Sequence, residues 1–439
     1  MKHIETLYQQ YLKSRVVTTD SRKITPGCIF FAFKGESFDG NAFAPQALEK
    51  GASLCVISDE RYANDPRCIL VPDVLKTLQE LALHHRKQQH IPFIGITGTN
   101  GKTTTKELVN AVLSKKYRTH ATAGNYNNHL GVPLTLLAMP ANTEIAIIEM
   151  GANHPGEIAF LCNIARPTCG LITNCGKAHL EGFGSFEGVV KTKTELYRFL
   201  ASQQGSTLFV NNDNEILMKE ASQLCSTAGT LRTATYGSAE EAGTKGSYIG
   251  SDPYMKFYFE DGDNVYTVQS QLLGGYNFDN AMAAVAVGQF FGVEMFDIKE
   301  AIQEYTPSNN RSQYKETASN ALFLDCYNAN PSSMKVAIDN FAALKREHKL
   351  VFLGGMKELG NDSAQEHDNL VKRLLAADFE KIVLVGPEFE IHAHSDARIE
   401  WYASSSDAKA YYAAHPICGA TILLKGSNSN KMWLLEEVF

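Results

Sequence analysis

The sequence has no basic excess. Its 41 Lys and Arg stand against 48 Asp and Glu, a formal net charge of −7. A general nucleic-acid binder would show the opposite balance, so no nucleic-acid partner is expected. A long apolar run is also missing. The most apolar segment, AMAAVAVGQFFGV from Ala281 to Val293, is too short to span a bilayer and reads as a buried helix. The opening MKHIETLYQQYLKS lacks the apolar core of a secretory signal. Nine cysteines are scattered along the chain, an odd number with no C-x-x-C pair. That pattern excludes a zinc-finger spacing and fits free thiols in a reducing compartment. Together these absences predict a cytoplasmic protein with no membrane span.

What is present is ample apolar material: 44% of 439 residues. That is enough for large cores and too much chain for one ordinary domain. Residues 1–90 read as a small α/β unit, with strands near Cys28–Phe33 and Ser53–Ile57 and helices near Phe43–Lys50 and Val74–Arg86. The polar RKQQHIP ending at Pro92 suits a linker. Residues 91–307 open with the strand-like FIGIT (Phe93–Thr97), a glycine-rich turn and a helix from Lys102 to about Lys116. Apolar runs at Ile145–Met150 and Gly170–Thr173 continue a strand–helix alternation that implies a parallel sheet. Between about Gln203 and Gln271 alternation around an Asp-Gly turn suggests a β-rich insertion. After the turn-rich YTPSNN (Tyr305–Asn310), residues 308–439 resume the alternation and end in an expected helix. The fold class is therefore α/β in three domains: an N-terminal α/β domain, a central P-loop domain on a parallel sheet, ATPase-like, and a C-terminal Rossmann-like domain.

The segment GITGTNGKTTTKE, Gly95–Glu107, carries the clearest chemistry. Glycines let backbone N–H groups turn inward, and the following helix adds its positive dipole end. Lys102 supplies a mobile charge for the β- and γ-phosphates, and Thr103 can place a hydroxyl on Mg²⁺. A strict Walker A motif would have glycine where Ile96 stands, so the loop is the variant G-x-x-G-x-x-G-K-T. Gly98, Thr99, Asn100, Gly101, Lys102, Thr103 and Thr104 are the candidate phosphate-binding residues. No guanine-reading N-K-x-D is present; the one Asn-Lys pair, Asn430–Lys431, runs into Met and Trp. ATP is therefore favoured.

Other residues carry weaker signals. Glu149 ends an apolar strand, where open α/β sheets collect functional groups. By itself it reads as a solvated strand-end acid, and behind a phosphate loop it reads as a cation ligand. His179 is a lone histidine, a type more often structural than ligating. Lys191 and Lys193 read as exposed helix lysines. Asn277 and Asn280 open a helix, where short amides suit caps as well as purine contacts. In Asp20–Ser21–Arg22, the arginine could meet a phosphate or form a surface salt bridge.

GTNGKTTTKE, NYNNHLGVPLTLL, EMGANHPGEI, NCGKAHLEGFGS, GYNFDNAMAA, DCYNANPSSM and MKELG occur in this order. Together they resemble the Mur ligases of peptidoglycan synthesis, from Asp20 nearly to the C-terminus. AHLEGFGS and YNANPSSM point to the branch that adds D-alanyl-D-alanine to UDP-N-acetylmuramoyl-tripeptide. The resemblance implies an ATP- and Mg²⁺-dependent amide ligase that works through an acyl phosphate. No coiled coil or large apolar repeat forces association, so a monomer is expected. It implies that Glu149 holds Mg²⁺ and helps deprotonate the incoming amine, that His179 holds a second Mg²⁺, and that Glu181 supports the loop. It further implies a carbamylated Lys193 as a Mg²⁺ ligand, with Lys191 as the competing position. Asn277 is expected near adenine and Arg311 at the ATP phosphates. Asp325 and Asn328 are expected near the nucleotide or the dipeptide, and Ser21 and Arg22 at the UDP-muramoyl end in the first domain. Two positions depart from the family pattern: Leu324, where an acid is usual, and Asn428, where arginine is usual. A ligase adding the third peptide residue, a folylpolyglutamate synthetase, and a nucleotide-binding module without ligase activity are the rival readings.

Overall fold

Alternation of apolar residues along short runs builds three sheets, and each strand buries both faces where helices cover the sheet on both sides. The computed structural model describes residues 2–226, 229–307 and 312–439. A first sheet holds β1 (Val17–Thr18), β2 (Ile29–Phe31), β3 (Leu54–Ile57) and β4 (Cys68–Leu70), all parallel and in sequence order.

The central sheet contains β5 (Phe93–Thr97), β6 (Thr119–Ala121), β7 (Ile145–Glu149), β8 (Cys169–Ile172), β9 (Thr207–Asn211), β10 (Arg232–Gly237), β11 (Thr244–Ser251), β12 (Tyr254–Asp261) and β13 (Asn264–Leu273). Its order is β13-β12-β11-β10-β9-β8-β5-β7-β6. The residues Ile94, Ile96, Ile145 and Ile147 face the helices Lys102–Ser114 and Phe278–Phe290. Phe93, Ala146 and Ile148 face the other way. The helix Phe278–Phe290 is buried from Asn280 to Gly288, as its apolar run Ala281–Val287 requires. The β-rich stretch is not a separate insertion. Its first part, β9, pairs in parallel with β8, and the helix Glu215–Cys225 follows. From β11 onward the strands turn antiparallel and extend the same sheet. The Asp-Gly turn falls between β12 and β13, with Gly262 at φ +58°.

The third sheet holds β14 (Gln313–Glu316), β15 (Ala321–Asp325), β16 (Lys349–Gly354), β17 (Lys381–Val385), β18 (Ile399–Tyr402) and β19 (Thr421–Lys425), in the order β14-β15-β19-β16-β17-β18. All pairs but β14–β15 are parallel. The expected C-terminal helix is instead two short 3₁₀ segments, Asn428–Asn430 and Met432–Val438, pinned by buried Met432 and Leu435.

The first domain does not stand apart. Its helices Lys2–Ser14 and Val74–Lys87 place Leu7, Tyr8, Tyr11, Leu78 and Leu81 in one apolar cluster with central-domain residues Val132 and Leu136. Tyr11 donates to the Leu137 carbonyl at 2.8 Å. Arg86, where the linker begins, ties it to the central domain: Nε donates to Ala165 O at 2.8 Å, Nη2 to Arg166 O at 2.6 Å, and the guanidinium lies over the Phe93 ring.

Candidate active site

The register of the central sheet assembles the site. Ile96 on β5 lies opposite Glu149 on β7, so the carboxylate emerges beside the glycine loop that leaves β5. On the other side, β8 delivers Thr173 and Asn174 against the same loop. Asn174 Oδ1 accepts the Asn100 N–H at 3.0 Å, and Thr173 donates to Asn100 O at 2.6 Å. The loop needs its glycines. A Cβ on Gly98 (φ +143°) would fall 2.0 Å from Thr173 Oγ1, and one on Gly101 (φ +77°) would fall 2.4 Å from Asn280 Oδ1.

Lys102 begins the helix, and its Nζ donates to Gly98 O and Thr99 O, both at 2.8 Å, folding the ammonium over the loop. Thr103 Oγ1 donates to Glu149 Oε1 at 3.2 Å, and Asn127 Nδ2 donates to the same oxygen at 2.8 Å. Glu149 is 1% exposed, yet among the described residues its Oε2 has no hydrogen-bond partner. A buried carboxylate oxygen left bare is costly unless a ligand satisfies it. A divalent cation beside the phosphate loop would do so, and Glu149 with the Thr103 hydroxyl fits one. Among the described residues no three His, Cys, Asp or Glu side chains converge as a metal site. Mg²⁺ takes one or two protein oxygens together with substrate phosphates, a donor set that Glu149 and Thr103 can supply.

Lys193 and Lys191 differ sharply. Lys191 is exposed, whereas Lys193 is 2% exposed, with Nζ donating to Ala152 O at 3.2 Å and lying 5.3 Å from the Phe183 ring centre. Burial, then the charge of Lys102, pushes the Lys193 ammonium down to about 7. The reading of Lys193 as an exposed helix lysine is therefore wrong, because that helix face turns inward. Glu195 accepts the N–H groups of Gly156 and Ala159, both at 2.8 Å, and so holds the start of the helix Glu157–Ala165.

The central and C-terminal domains enclose a cleft of about 720 Å³. Thr99, Asn100, Gly101, Lys102, Thr103 and Thr104 line one wall, with Glu149, His179 and Asn277 beside them. Asp325 and Asn328 line the facing wall. Asp325 and Lys425 are paired residues at the ends of β15 and β19, and Lys425 Nζ donates to Asp325 Oδ2 at 2.5 Å and to Asn328 O at 3.1 Å. His179 Nδ1 pairs with Glu358 from the facing domain. Burial pushes its imidazole below the usual histidine value, with Glu358 pulling the other way.

Some expectations change. Asn280 does not cap its helix; its Oδ1 accepts from Thr105 at 3.0 Å and its Nδ2 donates to Asn277 Oδ1 at 2.8 Å, bracing the loop from behind. Asn277 in turn donates to Leu273 O at 2.8 Å. Gly98 and Lys193 lie just behind the cleft surface rather than on it. Glu181 touches the C-terminal domain: a Cβ on Gly360 would lie 3.4 Å from its Cβ. Ser21 and Arg22 are not brought to this cleft. Arg22 lies in the first domain, where it is chelated by Asp20 at 2.9 and 2.8 Å with its side chain 87% exposed. Arg311 lies outside the described residues. The sequence reading assigned no role to Asn127, Asn174, Asn330 or Glu358. Asn127, Asn174 and Asn330 sit in the Asn-rich stretches NYNN, TNC and YNANP, a signal that was visible but had no assigned partner.

With this geometry in view, the family assignment rests on the whole chain. The sequence matches the Mur ligase family catalytic domain over residues 13–86, the Mur ligase middle domain over 96–288 and the Mur ligase glutamate ligase domain over 310–428. It is 34% identical to UDP-N-acetylmuramoyl-tripeptide–D-alanyl-D-alanine ligase of Bacillus subtilis, covering 96% of this chain and 92% of that one. The chain belongs to the Mur ligase family. Among solved Mur ligases, the crystal structure of MurF from Acinetobacter baumannii superposes with a TM-score of 0.85 at 28% identity, over 96% of this chain and 92% of that one. MurF ligase from Thermotoga maritima in complex with ADP gives 0.84 at 28% identity, over 98% and 97%.

Proposed function

We propose that this chain is an ATP-dependent ligase that joins D-alanyl-D-alanine to UDP-N-acetylmuramoyl-tripeptide, forming the pentapeptide precursor of peptidoglycan. The observation that carries the reading is one cleft with a phosphate loop and a bare buried carboxylate on one wall, and Asp325 with Lys425 on the other. The relatives catalyse this reaction by name, and the chain matches them from end to end.

The loop N–H groups and the start of the helix Lys102–Ser114 receive the ATP phosphates, and Lys102 turns from the loop carbonyls to the γ-phosphoryl group. A carboxylate oxygen of the tripeptide attacks that phosphorus as the bond to ADP breaks. The amine of D-alanyl-D-alanine then attacks the acyl carbon and loses a proton, and phosphate leaves with the carboxylate oxygen. Docking of the C-terminal domain excludes water from the acyl phosphate. Glu149, Thr103, His179 and a carbamylated Lys193 would hold magnesium. When bound, it screens the clustered anions and stabilises the charge that develops on the transferring phosphoryl group. Lys193 suits carbamylation, because burial lowers its ammonium to about 7, so that the neutral amine, whose lone pair attacks CO₂, is within reach near neutral pH. One chain supplies both walls of the cleft, so a monomer suffices. ATP and a UDP-linked substrate are consistent with a cytoplasmic reaction.

Isotope transfer tests the chemistry. Tripeptide substrate labelled with ¹⁸O in its terminal carboxylate should deliver one ¹⁸O to the released phosphate. Unlabelled phosphate formed alongside the pentapeptide product would overturn the acyl-phosphate route.

A further inference from the structure

We propose that Glu358 is a positioning residue that sets the tautomer of His179 across the domain boundary, so that Nε2 is presented to the cleft only when the C-terminal domain is docked. The proposal rests on the reading of His179 as a group that works in the reaction.

The two residues come from different domains. His179 follows β8 of the central domain, and Glu358 follows β16 of the C-terminal domain. Among the described residues, Glu358 is the one carboxylate paired with His179. The contact is to Nδ1, and the ring stands edge-on to Phe183 at 6.3 Å. An imidazole whose Nδ1–H is donated to a carboxylate must carry its lone pair on Nε2, the atom free to act as ligand or acceptor.

Both backbones are held in an unusual state. His179 has φ +50° and Glu358 has φ +60°. Left-handed residues with a Cβ are disfavoured and persist where the surroundings dictate them. At His179 the local turn is fixed, because its carbonyl accepts from Gly182 and Phe183 at 3.0 and 3.1 Å. Independent contacts hold the same interface closed. Lys177 N donates to Ser332 Oγ at 2.8 Å, Lys177 Nζ to Glu366 at 2.9 Å, and Asn330 Nδ2 to Asn100 Oδ1 at 2.8 Å. Docking and tautomer choice are thereby one event, and a central domain without its partner would lack the carboxylate that orients His179.

The test uses the full-length chain labelled with ¹⁵N-histidine, with the His179 resonances assigned by their loss in His179→Gln. The wild type should show the Nδ1–H tautomer, and Glu358→Ala should lose that preference. Lys177→Ala, which removes the side-chain contact to Glu366 but leaves the backbone bond to Ser332 and the Asn330–Asn100 bond to keep the domain docked, should keep it. Glu358→Ala should lower kcat by about 10- to 100-fold with KM for ATP unchanged. Glu358→Gln should recover part of the loss, because its amide oxygen still accepts. An unchanged tautomer in Glu358→Ala, or equal losses in Lys177→Ala and Glu358→Ala on both readouts, overturns the proposal. Full turnover in His179→Gln removes the assignment of His179, and the proposal with it.

Discussion

Lys102 and Glu149 show how a residue's burial and partners decide its use. Lys102 donates to two loop carbonyls that it can exchange for phosphate oxygens, so Lys102→Ala should leave the fold intact and cut turnover roughly a thousandfold or more. Circular dichroism beside a phosphate-release assay checks both halves, and retained turnover would refute the role. His85 offers a stability test away from the cleft. It is fully buried between the first domain and the central core, with Nδ1 at 3.2 Å from Tyr8 Oη, and burial pushes its pKa down to about 4. The unfolded chain, near 6.5, therefore binds more protons between those values, and stability falls as pH drops from about 6.5 to 4. The loss is of the order of 3 kcal/mol. His85→Phe should flatten that part of the stability–pH curve, measured by urea unfolding. At this scale the sequence was legible where a motif dictated geometry, as in the loop around Lys102, whereas Glu149, which by itself reads as a solvated acid, is buried. It was mute at Lys193, whose burial depends on how its helix turns against Phe183 and Ala152.

Strands and helices were largely legible because apolar runs of the right length admit few alternatives. The runs at Phe93–Thr97 and Ile145–Met150 became the strands Phe93–Thr97 and Ile145–Glu149. What the pattern could not convey was pairing. Nothing local says that β11 to β13 continue the central sheet, since that depends on the partner β10. The 3₁₀ ending at Met432–Val438 was also hidden, because its apolar spacing resembles a helix. The phosphate loop and the helix Phe278–Phe290 act as one element. Gly101→Ala adds a Cβ 2.4 Å from Asn280 Oδ1 at φ +77°. It should cost about 1–3 kcal/mol of stability and weaken ATP binding. Asn280→Ala should weaken ATP binding with a smaller stability loss. Thermal unfolding with and without ATP analogue separates the two effects, and identical behaviour of both variants would contradict the bracing role.

Across the whole molecule, the cleft is a product of docking. Asn330 joins the cap of a C-terminal-domain helix directly to the phosphate loop, and Lys177 bonds to Ser332 and Glu366 from the central side. The sequence implied that two distant segments must meet, but it could not say which contacts hold them. A saturating ATP analogue should stabilise the chain by about 2.7 kcal/mol at a hundredfold excess over Kd, and Lys102→Ala should lose most of that gain. The most direct test of the central claim mixes purified chain with ATP, Mg²⁺, UDP-N-acetylmuramoyl-tripeptide and D-alanyl-D-alanine and follows phosphate release. The structure predicts release that requires both the tripeptide and the dipeptide and matches the amide formed. Release that proceeds at the same rate without either substrate would contradict it.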